Sequence, residues 1–279
     1  MTSMRPTKRM RLPAWAHKQA APFLLFALKA MTTSLSQRLA DARRHHLTLD
    51  ALPAEQIPAD GAAAYAIQHD ILRALDAPIG GWKIGAKSDS GPIQGAPLPA
   101  SDLHADGARL PRKTFTPLGL ELEIAFRFGR RFEPSATSYS EADVLGGIGS
   151  IGTTIEIVAS RYADWPDVDK LAQLADLQNH GALIVGEFTP YREDFPFLSP
   201  SLRFSFEGLD VVETTPANPA GDPRRLLTWL VNHATSRGIA ITPEMIVTTG
   251  SYTGMFFPQS AGTASGRIEG LAPISLTLY

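Results

Sequence analysis

The chain has no cysteine, no apolar run long enough to cross a membrane, and no acidic residue in its first thirty positions. Without cysteine there is no disulfide, no thiolate zinc site, no iron–sulfur cluster and no sulfur nucleophile. A bound metal would have to be held by oxygen or imidazole. The apolar stretch at 20–30 is broken by Pro22 and Lys29 and falls short of the roughly 20 residues a spanning helix needs. The acid-free start holds six of the 26 basic residues (Arg5, Lys8, Arg9, Arg11, Lys18 and Lys29), so the rest of the chain is acidic on balance. That balance argues against a nucleic-acid backbone as partner and for small metabolites or metal ions. With 279 residues, 44% of them hydrophobic and 19% charged, the chain can bury a sizeable core, and whole-chain disorder or a coiled coil is excluded.

A basic start followed by a short apolar stretch has the form of a signal or transit peptide. Met31, however, opens a natural cytoplasmic start. The reading adopted is a disordered basic leader or extended gene start over 1–33 and a cytoplasmic protein whose one domain spans 34–279. Within that domain, helices are expected at 34–79 and a β-rich core at 80–279. Leu35, Leu39 and Ala42 share one stripe of a helix expected over 34–52. Asp60 caps a second helix whose apolar face is Ile67, Ile71, Leu72 and Leu75. After Gly80 and Gly81 short alternating runs predominate. Leu120, Leu122, Ile124, Phe126 and Phe128 alternate over nine positions, which predicts a strand. Ile155 and Ile157 alternate around Glu156, and Leu202, Phe204 and Phe206 lead through a Glu207-Gly208 turn into a hairpin. One later helix is expected, with Asp222 as cap, Pro223 in the first turn and Gly238 at its end. Helices and strands without strict βαβ alternation predict an α+β fold, and no internal repeat is present.

Gly147-Ile148-Gly149-Ser150-Ile151-Gly152 matches a dinucleotide-binding pattern letter for letter. It follows a helical stretch and precedes a strand, the reverse of what phosphate binding needs, so it is rejected. Glu121 and Glu123 carry more information. On a strand, alternate residues share a face, so the two carboxylates point the same way, their Cα atoms about 7 Å apart. A solvated strand face is the other reading, and Glu156, a third carboxylate on an apolar strand, weighs against it. Three carboxylates suit a hard divalent cation, magnesium or manganese. Lys83 lies on the strand face opposite Trp82 and Ile84; it is a surface lysine or a proton carrier beside the cation. Ser251 and Thr253 stand in a glycine-bounded turn that is a plain polar turn or a loop for a substrate carboxylate. No HExxH pair occurs, and His180 is the one histidine near these residues in sequence.

These pieces together resemble the 2-keto-4-pentenoate hydratase family, within the fumarylacetoacetate hydrolase superfamily. The matching runs are Gly81-Trp82-Lys83-Ile84-Gly85, Glu121-Leu122-Glu123-Ile124-Ala125-Phe126 and Ile155-Glu156-Ile157-Val158-Ala159-Ser160-Arg161. Ala175-Asp176, the segment from Gly181 to Gly186, and Thr249-Gly250-Ser251-Tyr252-Thr253-Gly254 follow in the same order. The family departs from this chain at Ala159, where it has aspartate, at Leu177, where it has asparagine, and at Asn179 and His180, where it has small hydroxyl residues. The segment between Ala86 and Leu103 is also shorter here. The resemblance implies a mixed β-roll or sandwich core with flanking helices, like the superfamily's C-terminal domain. It implies Glu121, Glu123 and Glu156 as metal ligands, Lys83 as the catalytic lysine, and Ser251, Thr253 and Asn179 as substrate-binding residues. The activity implied is a homo-oligomeric, magnesium- or manganese-dependent hydratase of aromatic catabolism. It would add water to a small-molecule 2-hydroxy-2,4-dienoate to give a 4-hydroxy-2-oxo acid, with no nucleic-acid or membrane partner. Decarboxylation of a 4-oxalocrotonate-type 2-oxo acid is the alternative, with Arg161 or His180 supplying charge for a second carboxylate. A noncatalytic partner subunit of such a complex is a third reading.

Overall fold

The computed structural model describes residues 33–279, so the expected leader over 1–33, apart from Thr33, lies outside the described residues. Helix α1 spans Leu35–His45, with the Ser34 hydroxyl accepting from the Gln37 amide. It stops well short of the expected 34–52, because His46 turns left-handed at φ 53° and caps the last turn. Leu49, expected in that helix, instead pairs with Tyr162 as an isolated bridge. Helix α2, Gly61–Leu75, starts as the sequence indicates: Asp60 Oδ1 accepts from the Ala63 amide at 2.8 Å. Leu39, Ile71 and Leu72 of these two helices pack with Tyr162, Ala172 and Leu177, joining the N-terminal helices to the segment beside the site.

Twelve strands follow among the described residues. A seven-stranded sheet runs β2 (Gln94–Pro99), β1 (Ile79–Gly85), β10 (Ile246–Ser251), β5 (Gly119–Phe128), β6 (Ile148–Val158), β7 (His180–Pro190) and β3 (Leu103–Ala105). A five-stranded sheet runs β4 (Ala108–Leu110), β12 (Ile274–Leu278), β11 (Gly262–Ile268), β8 (Leu202–Phe206) and β9 (Leu209–Asp210). Glu141–Leu145 (α3), Lys170–Ala175 (α4) and Arg224–Thr235 (α5) complete the helices. This is the expected α+β class. The rejected glycine motif lies where its rejection requires, with α3 before it and Ile148 to Gly152 inside β6.

The alternation on β5 decides which way the site faces. Leu120, Leu122, Ile124, Phe126 and Phe128 bury themselves with Ile155, Ile157, Ala264, Ile274 and Leu276 from both sheets. Gly266 of β11 sits so close that a Cβ there would run into the Leu122 side chain. Glu121, Glu123 and Ala125 therefore take the other, inner face, where Ala125 meets Leu98, Leu183 and Ile246. That face is covered as well, since the large sheet curls on itself. The curl places Glu123 at 1% exposure, on a strand face that an open antiparallel sheet would leave to solvent.

Candidate functional site

Strand register builds the centre of the site. Glu121 lies directly opposite Glu156 in the antiparallel β5–β6 pair, with Glu123 one step along the same face. One carboxylate oxygen from each of Glu121, Glu123 and Glu156 falls within 4.8 Å of the other two. Hard oxygen donors at that spacing fit a divalent cation that completes its shell with water or substrate oxygens. Burial and the neighbouring carboxylates Glu123 and Glu156 push the half-buried Glu121 carboxyl up to about 8, against the pull of Lys83. Burial and Glu156 push Glu123 up to about 7. Packed carboxylates disfavour one another's ionised forms, and a bound cation would relieve that repulsion.

Glu123 is nevertheless well held. The Thr248 hydroxyl donates to its Oε2, and the Gly250 amide donates to the same oxygen at 2.9 Å. The β10–β5 ladder shifts register between Thr248 and Ser251, and Gly250 adopts φ 93°. Glycine tolerates that conformation, and the irregularity turns its N–H out of the ladder toward the carboxylate.

Lys83 reaches this cluster from β1, on the far side of β10 and β5 from Glu156 in the strand order. In a flat sheet three strand spacings would separate them by about 14 Å. Across the curled face Lys83 Nζ donates to Glu156 Oε1 at 2.6 Å and to the Gln178 carbonyl at 3.1 Å. The same Glu156 oxygen lies 3.0 Å from His180 Nδ1. Burial works to raise the Glu156 carboxyl, but Lys83 and His180 outweigh it and hold the group below its ordinary value. Burial lowers His180 against the pull of Glu156, which favours the neutral imidazole.

The segment before His180 is unusual. Leu177, Gln178 and Asn179 all take positive φ, at 47°, 54° and 58°. Left-handed backbone costs an L-residue roughly 1–2 kcal/mol. The turn is braced at both ends by one guanidinium: Arg43 Nη2 donates to the Asp176 carbonyl at 3.1 Å and to the His180 carbonyl at 3.0 Å. The Asp176 carboxylate, fully buried, in turn accepts from the Arg161 amide at 2.9 Å and from Arg161 Nε at 2.8 Å.

A cavity of about 380 Å³ opens over the cluster, with Lys83, Glu121, Glu123, Glu156 and Ser251 in its wall. Lys83 is the one basic side chain among its described lining residues. The other sequence-derived candidates divide. Ser251 lines the cavity, but its hydroxyl donates to the Gly254 carbonyl at 2.8 Å. Thr253 lies outside the lining and spends its hydroxyl on the same carbonyl at 3.2 Å. Asn179 also lies outside, its amide donating to Gln173 Oε1 at 3.1 Å. Arg161, weighed as a partner for a second substrate carboxylate, is committed to Asp176 and the Ala159 carbonyl and lines a separate hollow with Arg43 and Asp102. His180 is fully buried and also absent from the cavity wall. Sequence reasoning passed over Thr248, the Gln178 carbonyl and the Arg43–Asp176–Arg161 cluster. Asp176 and Arg161 stood in the motifs, but nothing in their spacing pairs them.

Curled sheets with few helices and an inward-facing carboxylate cluster give a mixed α+β fold like the one that the resemblance to the fumarylacetoacetate hydrolase superfamily implies. The resemblance drawn from the sequence to the 2-keto-4-pentenoate hydratase family holds on comparison. The chain is 26% identical over 251 residues to 2-keto-4-pentenoate hydratase of Paraburkholderia phymatum, covering 86% of this chain and 95% of that one. Its structure matches 4-oxalocrotonate decarboxylase from Pseudomonas putida G7, complexed with magnesium and adipate, at TM-score 0.76 and 19% identity, over 88% of this chain and 96% of that one. The same decarboxylase complexed with calcium and acetate matches at TM-score 0.74 and 20% identity, over 88% and 97% of the two chains. No family model matches the chain. Among the described residues no helix is long and apolar enough to cross a membrane.

Proposed function

We propose that the protein is a metal-dependent hydro-lyase that adds water to a 2-hydroxy-2,4-dienoate and yields a 4-hydroxy-2-oxo acid. The observation that carries this reading is the Lys83 ammonium, 2.6 Å from Glu156, beside a three-carboxylate cluster that opens to a cavity. Glu121, Glu123 and Glu156 would hold magnesium or manganese. The magnesium and calcium bound by the structurally similar decarboxylase are of the same hard class. A bound cation would supply Lewis acidity to the C1 carboxylate and C2 oxygen of the substrate. The Lys83 ammonium gives a proton to the terminal carbon, and the amine so formed takes the proton of the dienol oxygen, giving the α,β-unsaturated ketone. Water then adds at the carbon β to that ketone, its hydroxyl bonding there and its proton going to the adjacent carbon. Ser251, in the cavity wall, would orient substrate, with Thr253 holding the turn behind it.

Two features favour hydration over decarboxylation of a diacid. Lys83, the one basic side chain in the described cavity wall, is already engaged by Glu156. Arg161 and His180 face elsewhere, so among the described residues no free cation is presented to a second substrate carboxylate. The hydratase name of the relative at 26% identity points the same way. A turnover screen of 2-hydroxydienoates and 2-oxo diacids, with magnesium or manganese present, tests the reading through dienoate absorbance and carbon dioxide release. Loss of a 2-hydroxydienoate without carbon dioxide is the expected result. Carbon dioxide from 4-oxalocrotonate without hydration would make the protein a decarboxylase, and no turnover of either class would favour a noncatalytic partner subunit.

A further inference from the structure

We propose that His180 is a positioning residue: its Nδ1–H holds Oε1 of Glu156, so that Glu156 offers the cation one oxygen in a fixed orientation. The proposal rests on the assignment of Glu156 as a metal ligand.

The hydrogen-bond inventory fixes the direction of the contact. A carboxylate oxygen only accepts, so a ring nitrogen 3.0 Å from Glu156 Oε1 must carry the proton. In the neutral ring that assigns the proton to Nδ1 and leaves Nε2 bare. Nε2 is buried and has no partner, the arrangement that an unprotonated nitrogen tolerates better than an N–H. Oε1 takes both donors, Lys83 Nζ and His180 Nδ1, while Oε2 accepts no hydrogen bond among the described residues. Two donors on one oxygen pin the carboxylate plane and make its two oxygens inequivalent.

The backbone shows the same commitment. His180 follows three successive left-handed residues, Leu177, Gln178 and Asn179, none of them glycine. Such a run persists only where its surroundings over-determine it. Its ends are tied by Arg43, and its products are two contacts on the same pair: the Gln178 carbonyl on Lys83 and the His180 ring on Glu156. A hydroxyl side chain at position 180 is too short to span the distance that the imidazole covers, so the histidine and the turn act together.

The amide geometry of asparagine and glutamine provides the test. The Asn amide nitrogen can occupy the place of imidazole Nδ1, whereas the Gln amide nitrogen reaches that of Nε2. Magnesium alone is titrated by calorimetry into the chelator-treated full chain for wild type, H180N, H180Q and H180L. H180L and H180Q are expected to lose roughly tenfold or more in magnesium affinity, and H180N to recover most of that loss. In turnover assays the loss should show as a higher magnesium requirement, with kcat at saturating metal far less affected. Nitrogen-15 spectra of wild-type imidazoles should show His180 protonated at Nδ1 and bare at Nε2, an outcome that does not depend on any variant folding. Equal magnesium affinity in H180N, H180Q and H180L, or a proton on Nε2, would overturn the proposal. If wild type binds magnesium and the variants follow this order but no dienoate is turned over, the hydratase reading fails and the role of His180 stands.

Discussion

Glu121, Glu123 and Glu156 are chemically alike and differ in what surrounds them, so their neutral replacements should separate. Glu121 and Glu123 are pushed up by burial and by their carboxylate neighbours. E121Q and E123Q should therefore weaken magnesium binding and depress activity, with partial rescue at high metal, while leaving metal-free stability unchanged or raised. Glu156 accepts from both Lys83 and His180 in a fully buried setting. E156Q removes the counter-charge of a buried ammonium, and stability should fall by about 3 kcal/mol in denaturant titration. A carboxylate face without a metal role would give full, metal-independent activity in all three. K83A isolates the proposed proton carrier. It should abolish turnover while magnesium binding, read by calorimetry, survives within about tenfold. Turnover that persists in K83A would remove Lys83 from the mechanism.

At the scale of elements, the left-handed turn from Leu177 to Asn179 depends on the bracing by Arg43 from α1. R43M removes a guanidinium whose side chain is 7% exposed and leaves the Asp176 carboxylate with Arg161 alone. Stability should drop by about 3 kcal/mol, with activity falling even where the variant remains folded; unchanged melting and turnover would show that the turn holds itself. The same elements show what could be read from residues alone. The alternation on β5 made the strand legible, and with it the shared face of Glu121 and Glu123. The Asp60 cap and the Glu207-Gly208 hairpin were legible for the same reason: the signal is local. The pairing of Glu121 with Glu156 is a matter of β5–β6 register, which the apolar pattern limits to alternate positions without selecting one. The left-handed turn has no sequence signal, because leucine and glutamine rarely take that conformation. The α1 helix was overextended for a related reason. Leu47 and Leu49 continue an apolar pattern past His46, but tertiary pairing of Leu49 with Tyr162 prevails over it.

At the scale of the whole molecule, the curl of the seven-stranded sheet encloses acidic groups, and pH should report that enclosure. In the metal-free protein Glu121 and Glu123 keep protons up to about 8 and about 7, whereas an unfolded chain loses them near about 4.3. Between those limits the folded state binds more protons than the unfolded one, so stability falls as pH rises. Glu156, held low, works in the opposite sense, contributing stability that is lost only as acid protonates it. The chelator-treated protein should therefore melt at lower temperature at pH 8 than at pH 6, and saturating magnesium should flatten that slope while releasing protons on binding. A metal-free melting temperature that rises from pH 6 to pH 8 would contradict the burial of the pair. The central claim, that one inward-facing carboxylate cluster and one lysine make a metal-dependent hydratase, meets its most direct test in a single titration. Hydration of a 2-hydroxy-2,4-dienoate by chelator-treated protein is followed as magnesium is added back. No turnover without metal and a saturable return with it are expected; full turnover in the absence of metal would rule out a metal-dependent hydratase.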